Sequence, residues 1–569
     1  MTALLAPVEQ ARPQPRPASK VMRPENLSAI QPSRLSGTRA LMNRMLRERW
    51  DIRAERFDVD ANAEGTVVYS IKTPTREFSF IGFSRPPSRT ARTGRIIGRA
   101  WDMMGTLNEG PATEADIASA REELPKLYSG RATPNALIWC RSNRSMRIFD
   151  QTLAALADGR QPDVGELAQV CYLMRNTGLD GNGTFGTRSF PSLGTEHPLG
   201  GMLQAQLLTA YMMREYSCDL VEHLASLQSE RAVPLDPTIR RFLGVGNGSA
   251  LGLIFFVHKH PRLISSWIEA REKAIAVARG LELSPADERL GQLANLLRKA
   301  ATFRRQDRMV YEVFAPSASV AQELAAMAVE VENLRHAAGG SQPRFPLDGL
   351  ASRFESRFGA EAFETFLSIL IELVPDEADA LYAGIAGADE MIVDPTERVG
   401  SLRELLVRDY QWALDTDMSP DAAYKYIWYK SETAEEPRRG ARAEVPEARD
   451  LGLDLCGDVQ ALAADLAGQE DGLLVGRFLL EHPRHRATIA RIQSLRDCAY
   501  PAPRANINGE AFIPINLVRL MNAGLHGIEK TRDFLNRNLR GVLYHGAPTP
   551  DDIRQGRAEA WFYPEEPVR

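Results

Sequence analysis

The run FDVDANAEGTVVYSIKTPTREFSFIGF, residues 57–83, decides how the chain is read. Residues 57–59, 66–71 and 78–83 are short stretches rich in Val, Ile, Phe and Tyr, split by turn-forming residues at 62–65 and 73–76. Such runs with such breaks predict an antiparallel three-stranded meander. Upstream, TRALMNRMLRERW (38–50) carries Leu41, Met45 and Leu46 at helical spacing, with arginines elsewhere. Residues 1–36 hold prolines at 7, 13, 15, 17, 24 and 32 with Arg12, Arg16 and Arg23 between them, the composition of an extended, disordered basic arm.

Downstream of about residue 113 the apolar spacing is helical. Helices are expected near 114–127, 144–158, 163–175, 199–229, 262–279, 285–305, 318–337, 397–413 and 529–540, among others. Gly339-Gly340, followed by Ser341 and Pro343, reads as an internal boundary. The expected fold class is therefore mainly α: a large helical body, a small N-terminal antiparallel β meander in an α+β module, and a disordered N-terminal arm. The division is 1–36 for the arm, 37–105 for the module, 106–340 for a helical domain and 341–569 for a second one. No fixed-period repeat marks a solenoid.

The 569 residues are 44% apolar and 25% charged, with a mean hydropathy of −0.28, which excludes a disordered or collagen-like chain. The net charge of −5 divides unevenly. Residues 1–105 carry 18 Lys and Arg against 10 Asp and Glu, or +8, leaving −13 for the rest. A basic end on an acidic body can bind nucleic acid, an acidic partner or the body itself. The arm lacks interleaved aromatics, which weighs against nucleic acid. Five scattered cysteines with no CxxC pair fit a reducing, cytoplasmic setting. The longest apolar run, ALGLIFFV at 250–257, is far short of the ~20 residues of a membrane helix. The first residues lack the charged start of a secretory signal.

Two glycine-rich stretches stand apart: RNTGLDGNGTFGTRSFPSLGTEHPLGG at 175–201 and LGVGNGSALGL at 243–253, each containing Gly-Asn-Gly. The first matches GxGxxG, but it lacks the flanking strand and helix of a dinucleotide fingerprint. It also lacks the strand lysine, HRD and DFG of a kinase. No GxxxxGK[ST] is present, and Ser249 lacks the flanking glycines of a nucleophile elbow. What these stretches offer is backbone that can approach a ligand closely and present N–H groups to an anion.

The candidate substrate-binding residues are Arg175, Asn182, Thr184, Arg188, Asn247 and Ser249 from the two stretches. Arg438, from the aromatic and charged run at 424–440, and Asn506, from the asparagine-rich run near 504–526, complete the set. The arginines would grip a carboxylate or phosphate through paired donors, and the amides and hydroxyls would add neutral contacts. His258 and His260, two apart in His-Lys-His-Pro, are the candidate catalytic acid–base residues. His545 would join them if the C-terminal Tyr-His-Gly folds back. No metal site is assigned, although Glu481, His482 and His485 carry ligand types, and the cofactor is unknown.

The sequence thus suggests a soluble cytoplasmic enzyme of unread reaction class. Its substrate would be a small anion bound at glycine–asparagine loops between helices. The alternative is a non-enzymatic helical protein that uses its basic arm to bind a partner or to assemble. No membrane is implied, and association with further copies of the chain stays open.

Overall fold

A computed structural model describes residues 13–86, 101–127, 136–176, 193–194, 196–201, 203–247, 258, 260–306, 315–336, 344–385, 391–430, 438–439, 451–501, 520, 523–524, 531–532, 540–557, 561 and 563–567. Its centre is a mixed sheet. The meander is there, as β1 (Asp51–Val59), β2 (Gly65–Lys72) and β3 (Glu77–Ser84), and antiparallel pairing continues through β4 (Met103–Glu109), β5 (Ile138–Arg144) and β6 (Tyr172–Asn176). Next comes β7 (Gly244–Asn247), parallel to β6. The far edge is formed by β8 (Thr531–Arg532) and β9 (Arg540–Leu543), in the order β7-β9-β8. The sheet curls into a half-barrel. This corrects the expectation of a small meander on a mainly α body: the meander is one third of a nine-stranded sheet reaching from residue 51 to residue 543.

The helices before β7 are α1 (Ala18–Val21), α2 (Pro24–Ala29), α3 (Gly37–Glu48), α4 (Glu114–Leu127), α5 (Met146–Ala157), α6 (Val164–Val170), α7 (Gln204–Gln228) and α8 (Pro237–Phe242). One face of the sheet packs on α7, nineteen of whose 25 residues are buried, so the helix is covered almost all round. The other face of β2–β5 packs Val68, Ile81, Phe83, Met104 and Trp139 under Ile117 and Ala120 of α4. Strands covered on both faces lose the alternation that marks a half-exposed strand.

The remaining helices are α9 (Pro261–Arg279), α10 (Glu288–Gln306), α11 (Ser317–His336), α12 (Leu347–Arg357), α13 (Ala360–Leu370), α14 (Pro375–Ala383), α15 (Val399–Leu414), α16 (Leu455–Ala467), α17 (Val475–Glu481), α18 (Arg486–Leu495) and α19 (Pro550–Gln555). One apolar core joins α9 to α14, and another joins α15 to α18. Gly339 and Gly340 lie outside the described residues.

Residues 13–36 are not the extended arm that their prolines suggest. They form α1 and α2 and pack on the body. Arg16 enters a buried ionic quartet, donating to Glu272 at 2.7 Å and Glu364 at 2.6 Å, while Arg271 bridges the same two carboxylates at 3.1 and 2.7 Å. The two guanidiniums hold the Glu364 carboxyl below its ordinary range even though burial opposes this. Lys20 pairs with Glu355, and Arg34 with Asp379 at 2.7 Å. Here the basic end spends charge on its own acidic body.

Candidate functional site

The β6–β7 pair is the single parallel pairing among the described strands. Parallel neighbours send their chains out at the same edge of a sheet. Asn176 ends β6, Asn247 ends β7, and the two residues are register partners. The chain therefore leaves the sheet at adjacent positions after β6 and after β7, although Asn176 and Asn247 are 71 positions apart in sequence.

Helix α6 stops at Cys171, which adopts the left-handed conformation with φ 63°, and β6 starts at the next residue. The expected helix over 163–175 is thus cut short, and Arg175 sits on a strand. Tyr172 opposes Gly244 and Arg175 opposes Gly246, so a three-residue step along β6 matches a two-residue step along β7. The extra residue is a bulge, and it brings Tyr172 and Arg175 to one side of the sheet. A Cβ on Gly246 would come within 2.8 Å of both the Arg175 Cγ and the Tyr172 ring, so glycine is what admits these side chains.

Across β5, Asn143 opposes Arg175 and shares its side of the sheet. Arg141, two residues earlier, lies on that side too, its guanidinium 4.1 Å from the Trp101 ring centre. Arg175 is 8% and Asn143 9% exposed, and the Asn143 Oδ1 has no hydrogen-bond partner. A buried amide oxygen left unpaired costs about 1–3 kcal/mol, so its retention asks for an explanation.

The other expected residues divide. Asn182, Thr184, Arg188, Ser249 and Asn506 lie outside the described residues. His258 accepts a hydrogen bond at Nε2 from Arg491 of α18, which also donates to the His258 carbonyl at 3.0 Å. His260 is the N-cap residue of α9, directly before Pro261. Arg438 belongs to a separate short ladder, paired with Tyr429 and not with the large sheet. His545 does fold back, its ring 4.6 Å from that of Phe242. Of the helix expected at 529–540, residues 531–532 and 540 lie on β8 and β9 instead, and the others lie outside the described residues.

His482 and His485 flank Asp465 at 3.3 and 2.7 Å. Hydrogen bonds from His485 and Arg484 hold that carboxyl down at about 2. Among the described residues no three His, Cys, Asp or Glu side chains are grouped as a metal ion requires, and no helix is long and apolar enough to cross a membrane. Asn143, Tyr172, Arg141 and Arg491 were missed from the sequence. The run WCRSNR at 139–144, with Arg141 and Asn143 two apart and so on one side of a strand, was the available signal for the first and third.

The chain matches no family model, no curated protein and no solved structure.

Replacing Gly246 by alanine is expected to displace Arg175 and Tyr172 and to cost about 1–3 kcal/mol, the usual penalty for overpacking a filled site. Urea denaturation of the two proteins measures it. An unchanged midpoint would show that the two side chains move aside freely.

Proposed function

We propose that the protein is an enzyme acting on a small anionic substrate, a carboxylate or phosphate compound, held where β6 and β7 end. The observation that carries this is that β6 and β7 run parallel and end side by side, at Asn176 and Asn247. Ligands of open sheets with parallel strands collect outside the carboxyl ends of those strands. Arg175 supplies the charge, and the unpaired Asn143 oxygen gives a place for a ligand donor. Five cysteines, none of them in a disulfide, agree with a cytoplasmic setting. The alternative, a partner captured by the basic arm, loses support because Arg16, Lys20 and Arg34 are engaged within the chain.

The test is a thermal-shift screen of the full chain against phosphate, dicarboxylates and nucleotides, repeated on Arg175→Met. A compound that stabilises the parent and not the variant is the expected result. If nothing stabilises the parent, or the variant responds equally, the reading fails.

A further inference from the structure

Arg491 sits on α18 with 3% of its surface exposed. Its hydrogen bonds go to the carbonyl and ring of His258, both neutral acceptors. Its Nε has no partner. Arg16, Arg214 and Arg271, buried just as deeply, each lie against a carboxylate. Among the described residues no carboxylate forms an ion pair with Arg491; Asp458 and the Tyr410 hydroxyl act on it through space. Burial accordingly pulls its guanidinium down to about 10. Burial also pushes the Asp458 carboxyl up, against the opposing pull of Arg491 and His485. Neither group behaves as half of a formed pair.

A buried cation without a counter-charge carries a large penalty, and folded chains keep such groups paired or bound to something. His258 does not relieve it, because a ring nitrogen that accepts from arginine must be unprotonated, with the proton on Nδ1. Arg491 thus keeps a donor to spare and a positive charge that His258 does not neutralise. We infer that Arg491 forms a binding position for an oxyanion, the phosphate or carboxylate group of a small ligand. This inference stands apart from the strand-end reading, since Arg491 belongs to α18 and not to the sheet.

The test follows the thermal midpoint of the full chain in chloride, in inorganic phosphate and in acetate at equal ionic strength. Phosphate or acetate is expected to raise the midpoint by about 2–4 °C at saturating concentration, and the more effective of the two identifies the group bound. Arg491→Met should abolish this response. It should also leave the chloride midpoint unchanged or higher, because an apolar residue of similar length removes an unpaired charge. Asp458→Asn should leave the response in place. Three results would overturn the inference: no response in the parent, a response that survives in Arg491→Met, or a chloride midpoint lowered by both Arg491→Met and Asp458→Asn, which would make Asp458 the counter-ion. Loss of the response in Arg491→Met with its retention in Arg175→Met separates this position from the strand ends.

Discussion

Arg214→Met is expected to yield little soluble protein, and whatever folds should have lost more than about 5 kcal/mol, close to the whole stability of a typical domain. Arg214 is fully buried in the middle of α7. Its guanidinium donates to the carbonyls of Leu243 at 2.8 Å, Arg240 at 3.1 Å, Arg241 at 3.3 Å, Ala547 at 2.8 Å and Pro548 at 3.2 Å, and to Glu215. It therefore ties the end of α8 and the start of β7 to the turn after β9. Methionine fills similar space but strands five acceptors and a carboxylate, at about 1–3 kcal/mol for each buried group left unpaired. Arg214→Lys keeps the charge beside Glu215, but a single ammonium cannot span two chain segments, so it should fall between parent and Met. Soluble yield and the urea midpoint measure both variants. A loss below about 1 kcal/mol in Arg214→Met would show that the carbonyls find other donors.

The second large effect is expected at Arg16. Arg16→Met leaves Glu272 and Glu364 to share Arg271 in a site closed to water, and breaking a buried ionic cluster in this way costs about 3–5 kcal/mol. The damage should be partly repaired by Glu364→Gln in the same chain, although Glu364→Gln alone should destabilise the parent. Denaturation of the four proteins completes the cycle. Limited proteolysis should cut near residues 13–36 of Arg16→Met and spare the parent. Strictly additive effects would mean that Arg16 and Glu364 do not act on each other.

The pattern of success in reading the sequence has a physical cause. The meander was legible because β1–β3 are local in sequence and separated by turn residues. Most of the other strands were not. β5 is half polar, β7 is the glycine-bearing GVGN, and β6 carries on the helical apolar pattern of α6 past the point where Cys171 turns left-handed, a conformation uncommon outside glycine and asparagine. These segments become strands through partners that no local window contains, as when Gly541 pairs with Asn247. Helices α4, α9, α10, α11 and α15 fell close to expectation because their signal is local. The prolines of residues 13–36 did mark breaks, but composition alone could not show that Arg16 has two carboxylates waiting for it.

At the candidate site the same division holds. Arg175 and Asn247 were legible from glycine-rich context, and their adjacency comes from the parallel register. Asn143 became visible only as the residue opposite Arg175. Arg491 carried no sequence signal at all, since one arginine in RATIARIQSL looks like any exposed helix charge until its burial is known.

The pairing of β7 with β9 has a consequence for how the molecule is made. About 290 residues separate the two strands. At about 5–20 residues per second, the ribosome needs about 15–60 s to deliver the second after the first. Through that interval the nascent sheet ends at β7 with its backbone donors and acceptors unclaimed, the kind of edge that recruits strands from other chains. Arg214 meanwhile lacks the two carbonyls that residues 547 and 548 will bring. Soluble expression should therefore respond to translation rate and to chaperone supply more sharply than the stability of the finished protein would suggest.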